Sequence, residues 1–600
     1  MSKILTLFLG VKEMKMMSKK LVAQAVAAAA FALGAASVQA QTPSISTTGT
    51  GDLLLFPYYT TQNGNQTLLH MQNISENHTV LVRVRFRDYM HSRDALDFTV
   101  AMSPGDIFTG YVDGNGANGL PRWVSTDSTC TAPKTGRNGV INFPNNGNNA
   151  ILSALNANKH TGHIEAIVMG VLHNPTVIND WNRAGLAARN NPVLQRAYEV
   201  VTGAKHANNE PANCDNVVRA FGDQSLVDTQ NLSAAVARYS FPNLANNAVP
   251  DTSLTVPQRL NTAAGLLGVT GTGNFLAGHF GLLNAAGGFA DASRLTVVKN
   301  FTANDLLPAS VINPCGGTNG NLICSQTQAH WLYPNLLNVG GIPLLPNPNP
   351  ELAVGGADLV ADVPPVAPTL LPGERVRAFL ALEQAFASAR VVNEWSTNPA
   401  NGVNSEIVIT LPTKYTHRDA EPVLVGTDTN TYFGAPYTAT NGVGQLVYVA
   451  SGLDANTWDN VDSVLSGGER TAVSPALLGT IVPNPLLGGV FNASGCVAYS
   501  AVIWDREEDR ATVNNVTPSG GATTTPTSMC SETNVFTFGS GVTNPTGSVN
   551  VNTSGVDQTF GWINYQFGNA VPTIGFSLWN RNFGDASKNF AQMIENIKPR

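Results

Sequence analysis

The chain has 600 residues, with 34 Lys and Arg against 41 Asp and Glu, a net charge of −7, 43% hydrophobic and only 12% charged residues. The hydrophobic content is too high for a disordered chain, and the mildly acidic, Lys-poor balance argues against nucleic acid or anionic lipid as a partner, because phosphate neutralisation needs clustered Lys and Arg. With 56 Gly and 35 Pro the chain is loop-rich, yet long enough to bury a large core in two or more domains or in one elaborated architecture.

Residues 1–40 read as a signal peptide. Lys19-Lys20 supply positive charge, Leu21 to Ala36 is small and apolar, and Val38-Gln39-Ala40 fits a signal-peptidase site. Cleavage after Ala40 would leave 29 basic and 40 acidic residues, a net charge of −11. No later apolar run reaches about eighteen residues without interruption, so no transmembrane helix is expected after cleavage.

From Gln66 to Val112 the pattern has period two. Val82, Val84 and Phe86 alternate with Arg83, Arg85 and Arg87, which predicts a strand with one buried and one wetted face. Leu68–Gln72 and Asp97–Val100 read as its neighbours. The three arginines are expected to be solvated, with a carbohydrate- or carboxylate-binding face as the alternative. Asp113, Asn115 and Asn118 follow in a Gly/Asn loop whose oxygen-rich spacing would suit calcium, although no EF-hand is completed.

His163 to Val171 reads as a buried strand ending at an Asn174-Pro175 turn. A carboxylate inside it, Glu165, must be paired or shifted, and pairing with an Arg is the expected solution. His160 and His163 lack a third ligand for a metal. A helix opens at Asn191-Pro192 with Val193, Ala197 and Val200 or Val201 on one face, and a second runs from Asp215 to Phe221. Residues 263–290 are so rich in Gly and Ala that close backbone packing is expected.

Residues 340–373 carry eight prolines and read as a linker. Glu374–Arg390 has helical spacing at Val376, Phe379, Leu380 and Ala387. Beyond it, strands are expected at 405–411, 423–425, 445–449 and 496–504, with a closing hairpin at 561–567 and 573–579. Asp454, Asn456, Asp459 and Asp462 offer a second calcium-like spacing. Trp458, Trp504, Trp562 and Trp579 could form a sugar platform if exposed, and core packing if not. Glu507 and Glu508 read as a turn with Arg506 and Arg510 as counter-charges.

Six cysteines, an even number in a chain expected to be exported, predict disulfides; sequence neighbours give Cys130–Cys214, Cys315–Cys324 and Cys496–Cys530 as the simplest set. No GxSxG, HExxH or P-loop is present, so the chain reads as a non-enzyme.

GDLLLFPYYTTQNGNQTLLHMQN, HIEAIVMGVL, PANCDNVVRAF, VVNEWSTNPANGVNSEIVITLPTKYTHRD and GWINYQF…VPTIGFSLWN, taken in order, resemble a family of uncharacterised exported proteobacterial proteins of cell-surface or S-layer-like type. The resemblance spans most of the chain and implies no catalytic residue. The combined expectation is a mainly β protein, with β-sandwich regions of immunoglobulin-like or jelly-roll-like kind, an inserted helical segment and long Gly/Asn/Pro-rich loops. Its parts are a signal peptide (1–40), an N-terminal β region (41–190), a helical insertion with a Gly/Ala-rich segment (191–339), the Pro-rich stretch (340–373), and a helix plus C-terminal β region (374–600). The expected role is a secreted structural protein of the cell surface or extracellular matrix that self-associates, with calcium as a candidate cofactor; a periplasmic location and a surface-polysaccharide partner are the variants. The alternative is a secreted carbohydrate-binding protein or glycoside hydrolase.

Overall fold

Apolar residues at alternate positions fold the first part of the chain into β1 (Leu53–Thr60), β2 (Gln66–Asn73), β3 (His78–Asp88), β4 (Asp94–Met102), β5 (Ile107–Asp113), β6 (Arg122–Ser125), β7 (Cys130–Ala132) and β8 (Thr161–His173). The computed structural model describes residues 44–90, 94–145, 156–185, 192–220, 273–299, 385–413, 497–513 and 531–599, with short pieces at 153, 189, 301, 338–339, 342–343, 420–424, 446–450 and 528–529. Among the described residues, helices α1 (Asn174–Arg183), α2 (Pro192–Gly203) and α3 (Cys214–Ala220) follow β8. Both expected helices form. Asn174-Pro175 does not end in a simple turn; it opens α1, because proline suits the first helical turn.

Residues 276–299 return to the β region as β9 (Leu276–Asn284), β10 (Phe289–Arg294) and β11 (Thr296–Lys299). The described part of the Gly/Ala-rich stretch, residues 273–290, is therefore largely sheet. Close backbone approach is real there: a Cβ on Gly278 would lie 2.5 Å from the His70 carbonyl oxygen of the neighbouring strand.

One sheet runs Ser44–Ile45, β11, β1, β8, β3, β4, β7, and a second runs β10, β9, β2, β5, β6, Val140–Asn142. Their facing sides share a core of Leu54, Phe56, Val82, Val84, Phe86, Phe98, Phe108, Trp123 and Phe280. Phe108 stacks on Trp123 at 5.5 Å between ring centroids. β4 pairs with β3 as expected. β2 does not: it lies in the opposite sheet beside β9 and β5, so the chain crosses the core between two strands adjacent in sequence.

The later chain forms β12 (Ala387–Ser396), β13 (Val403–Thr410), β14 (Val497–Asp505), β15 (Arg510–Thr512), β16 (Thr533–Phe538), β17 (Phe560–Pro572), β18 (Ile574–Arg581) and β19 (Phe590–Glu595). A third sheet is ordered β12, β17, β14, β15, and a fourth Val549–Asn550, β16, β13, β18, β19. Ala387–Arg390 begins β12, which corrects the helix expected to reach Arg390; residues 374–384 of that helix lie outside the described residues. The expected hairpin is also corrected. β17 pairs with β12 and β14, β18 with β13 and β19, and the single residue Thr573 between them is too short for a hairpin turn, so the strand passes from one sheet to the other. Strands Ala420–Leu424 and Leu446–Ala450 pair with each other as a separate ribbon.

The two sheet pairs share their interiors. Val408, Val535, Phe576 and Leu578 of the fourth sheet join the first core, where Tyr58 meets Phe576 edge-on at 6.1 Å. A second core joins Leu53, Leu55, Leu81 and Ala101 on the outer side of the first sheet to the helices, through Leu194, Ala197 and Val201, and to Val391, Trp395, Ile407 and Ile563 of the later sheets. The Cys130–Cys214 disulfide ties β7 to α3 as expected; Cys315, Cys324, Cys496 and Cys530 lie outside the described residues. Among the described residues no helix is long and apolar enough to cross a membrane.

Candidate functional site

Arg83, Arg85 and Arg87 are fully buried, which corrects the expectation of a solvated or ligand-binding face. β3 is central in its sheet, and its second face is covered by the helices and the later sheets rather than by water. The guanidinium groups persist there because carboxylates stand on both flanking strands. Arg83 bonds Asp97 of β4, and donates from Nη1 to Thr99 Oγ1 at 3.0 Å. Arg87 Nε donates to Glu165 Oε2 of β8 at 3.1 Å, the Arg pairing expected for that buried carboxylate. Burial pushes Glu165 up, but Arg87, His163 and Arg85 outweigh it and hold the carboxyl at about 2. This layer joins strands and offers a ligand no access.

Both oxygens of Asp113 are taken by Arg122, at 2.9 and 3.2 Å, and Asp113 also accepts the Asn115 backbone N–H. Burial would raise Asp113, yet Arg122 and Asn115 hold it below the usual carboxylate range. Asn118 sits in a left-handed turn at φ 59°. These three residues form an ion-paired turn that leaves no free carboxylate for calcium. Asp454, Asn456, Asp459 and Asp462 lie outside the described residues. Among those described, no three His, Cys, Asp or Glu side chains cluster as a metal site would require. His160 and His163 do not converge: His160 Nδ1 meets the Thr61 hydroxyl at 2.9 Å, while His163 faces Glu165 at 3.7 Å.

The concave feature of interest lies elsewhere. Where β12 passes over β18 and β19, a groove of about 1000 Å³ opens. One wall is the outer face of the third sheet, on which alternation along β12 places Arg390, Val392 and Glu394. Glu394 pairs with Trp562 on β17, which pairs with Trp504 on β14. The two indoles stack at 5.1 Å and 7°, and the Arg510 guanidinium lies 5.6 Å from the Trp504 ring centre. Gly561 permits this closeness, since a Cβ there would lie 1.8 Å from the Trp504 carbonyl oxygen. The opposite wall is Trp579 and Arg581 of β18 with Phe590 and Gln592 of β19.

Trp562 is 37% exposed, and Phe560, Phe583, Phe590 and Ile597 around the groove are exposed as well. They are five of the nine large hydrophobic side chains exposed among the described residues, so the outward apolar surface is concentrated at this corner. Five buried polar atoms of lining residues lack a hydrogen-bond partner: donors Asn393 Nδ2, Trp579 Nε1 and Arg581 Nε, and acceptors Asn564 Oδ1 and Asn580 Oδ1. Each requires water or a ligand, because a buried polar group without a partner is costly.

Of the four tryptophans considered from sequence, Trp504 and Trp562 form the stack, Trp579 lies opposite, and Trp458 is outside the described residues. Glu507 bonds Arg506 at 3.0 Å in the β14–β15 turn, as expected. The polar residues Asn393, Asn564 and Asn580 were not legible as a set, since they come from three strands that meet only in the fold. No protein-family model, curated protein or solved structure matches the chain.

Proposed function

We propose that the chain is a carbohydrate-binding protein whose later sheet pair takes a glycan in the β12–β18–β19 groove. One observation carries this reading: an exposed aromatic wall stands beside five unpartnered polar atoms of mixed donor and acceptor type. A sugar ring presents both complementary surfaces, an apolar C–H face that stacks on indole and hydroxyls that each donate and accept. Glu394 is the single carboxylate lining the groove among the described residues. Hydrolysis of a glycosidic bond calls for a pair, so the reading is binding rather than cleavage. Export to the cell surface, expected from the N-terminal residues, would bring the groove to surface polysaccharide.

Titrating the purified protein with a panel of soluble neutral and acidic oligosaccharides, followed by tryptophan fluorescence, tests the reading. Binding that shifts the emission and is lost in Trp562→Ala supports it. No response to any sugar at millimolar concentration, together with concentration-dependent self-association abolished by Phe590→Ser, would replace it with assembly through the same exposed corner.

A further inference from the structure

Resting on the glycan reading of the groove, we infer that its ligand is an acidic oligosaccharide, bound through uronate carboxylates by Arg390 and Arg581.

The charge of the groove opposes that of the chain. Acidic residues outnumber basic ones by 41 to 34 overall, yet the groove is lined by three arginines, Arg390, Arg506 and Arg581, against the one carboxylate of Glu394. With Arg506 paired to Glu507, Arg390 and Arg581 against Glu394 leave a local balance of +1. Such an excess is where an anionic ligand gains most, because facing charges of opposite sign steer and hold it.

The arginines also differ in occupation. Arg83, Arg87, Arg122 and Arg196 are all paired with carboxylates. Arg506 is paired with Glu507. Arg390 and Arg581 have no acidic partner among the described residues, and Arg581 Nε is buried with no hydrogen-bond acceptor. The Arg581 guanidinium carbon lies 4.6 Å from the Phe583 ring centre, a cation–π contact. The planar guanidinium fork matches a carboxylate with two parallel hydrogen bonds and leaves no third charged oxygen over, as a sulfate or phosphate would.

Size points to more than one sugar ring. A volume of about 1000 Å³ stands at the upper end of the range of about 300–1,000 Å³ for small-molecule sites. Along β12, Arg390 and Glu394 are four residues apart on one face, about 13 Å at the rise of an extended strand. Arg390 therefore marks one end of the wall and the Trp562 row, with Glu394, leads to the other, where Arg581 pairs with Val403 and Val403 bridges Asn398 just past β12. One uronate at Arg390 and a second at Arg581, with hydroxyls over the tryptophan row and Glu394 between them, would satisfy both ends.

Isothermal titration of the full chain with oligogalacturonate, its carboxyl-reduced neutral counterpart and a sulfated oligosaccharide of equal length separates the possibilities. Expected are uronate affinity at least ten-fold above the neutral analogue, weakening as NaCl rises, and an at least ten-fold loss in the Arg390→Met/Arg581→Met double variant. The same variant should lose far less affinity for the neutral analogue than for the uronate, and a urea unfolding midpoint equal to that of wild type shows that it is folded. Arg581→Lys should recover only part of the loss, because it restores charge without the fork. Equal affinity for neutral and uronate oligosaccharides overturns the inference and leaves the glycan reading standing, as does tighter binding of the sulfated sugar. Failure of all three to bind overturns both.

Discussion

Two sets of arginines occupy alternate strand positions and have opposite fates. Arg83, Arg85 and Arg87 in β3 are buried under the helices and later sheets, and their carboxylate partners stand on the adjacent strands. Arg390 in β12 and Arg581 in β18 line an open groove and lack acidic partners among the described residues. Alternation tells which face a side chain takes, whereas exposure depends on what later covers that face. The difference is one of accounting for charge: an internally paired arginine is structural, and one left facing a groove is available to a ligand.

Removing one partner inside the layer should give the largest effect. Glu165→Ala leaves Arg87 buried without its carboxylate and should cost about 3–5 kcal/mol in urea unfolding, the usual penalty for breaking a buried pair. A loss below about 1 kcal/mol would mean the layer is not structural. Its pH dependence has a definite sign. Glu165 is held at about 2, below its unfolded value of about 4.3, so its contribution is complete above pH 4.3 and is lost as pH falls towards 2. Comparing unfolding midpoints of wild type and Glu165→Gln across that window should show a steeper acid loss in the wild type.

Replacing Cys130 and Cys214 with Ser releases α3 from β7 and loosens the helices that cover Leu81 and Ala101, at a cost of about 2–4 kcal/mol in the same measurement. At the groove the pattern inverts. Trp562→Ala should weaken saccharide binding by about 2 kcal/mol, roughly thirty-fold in Kd, as for an aromatic anchor. Arg390→Met should leave stability within about 0.5 kcal/mol of wild type, the smallest change of the series. A large loss of stability there would erase the contrast between the two sets.

Much of the local structure was legible. Period two identified β3, β4 and the sidedness of the arginines, and Glu165 announced its Arg partner because a carboxylate in an apolar strand requires one. What covers the outer face of β3 was not legible, since the helices of 174–220 and strands beyond residue 386 supply it. Strands adjacent in the chain, such as β2 and β3 or β17 and β18, look like partners in the sequence, whereas layered sheets place them in opposite layers. At the groove the tryptophans were visible as candidates. The unpartnered Asn393, Asn564 and Asn580 were not, because only folding brings β12, β17 and β18 together. Arg390 was hidden by the helical spacing of Val376, Phe379, Leu380 and Ala387 immediately before it.

The shared interiors carry a consequence for how the molecule comes apart. Leu53 and Leu55 lie in one core with Val391 and Ile407, Tyr58 and Phe280 lie in another with Phe576 and Leu578, and Thr410 donates across to the Pro57 carbonyl at 2.6 Å. The Pro-rich stretch at 340–373 looks like a place to divide the chain, but either half produced alone would expose an apolar wound that the other normally fills. Calorimetry should show one cooperative transition rather than two. Co-expressed halves should recover as a non-covalent pair, whereas each alone should aggregate.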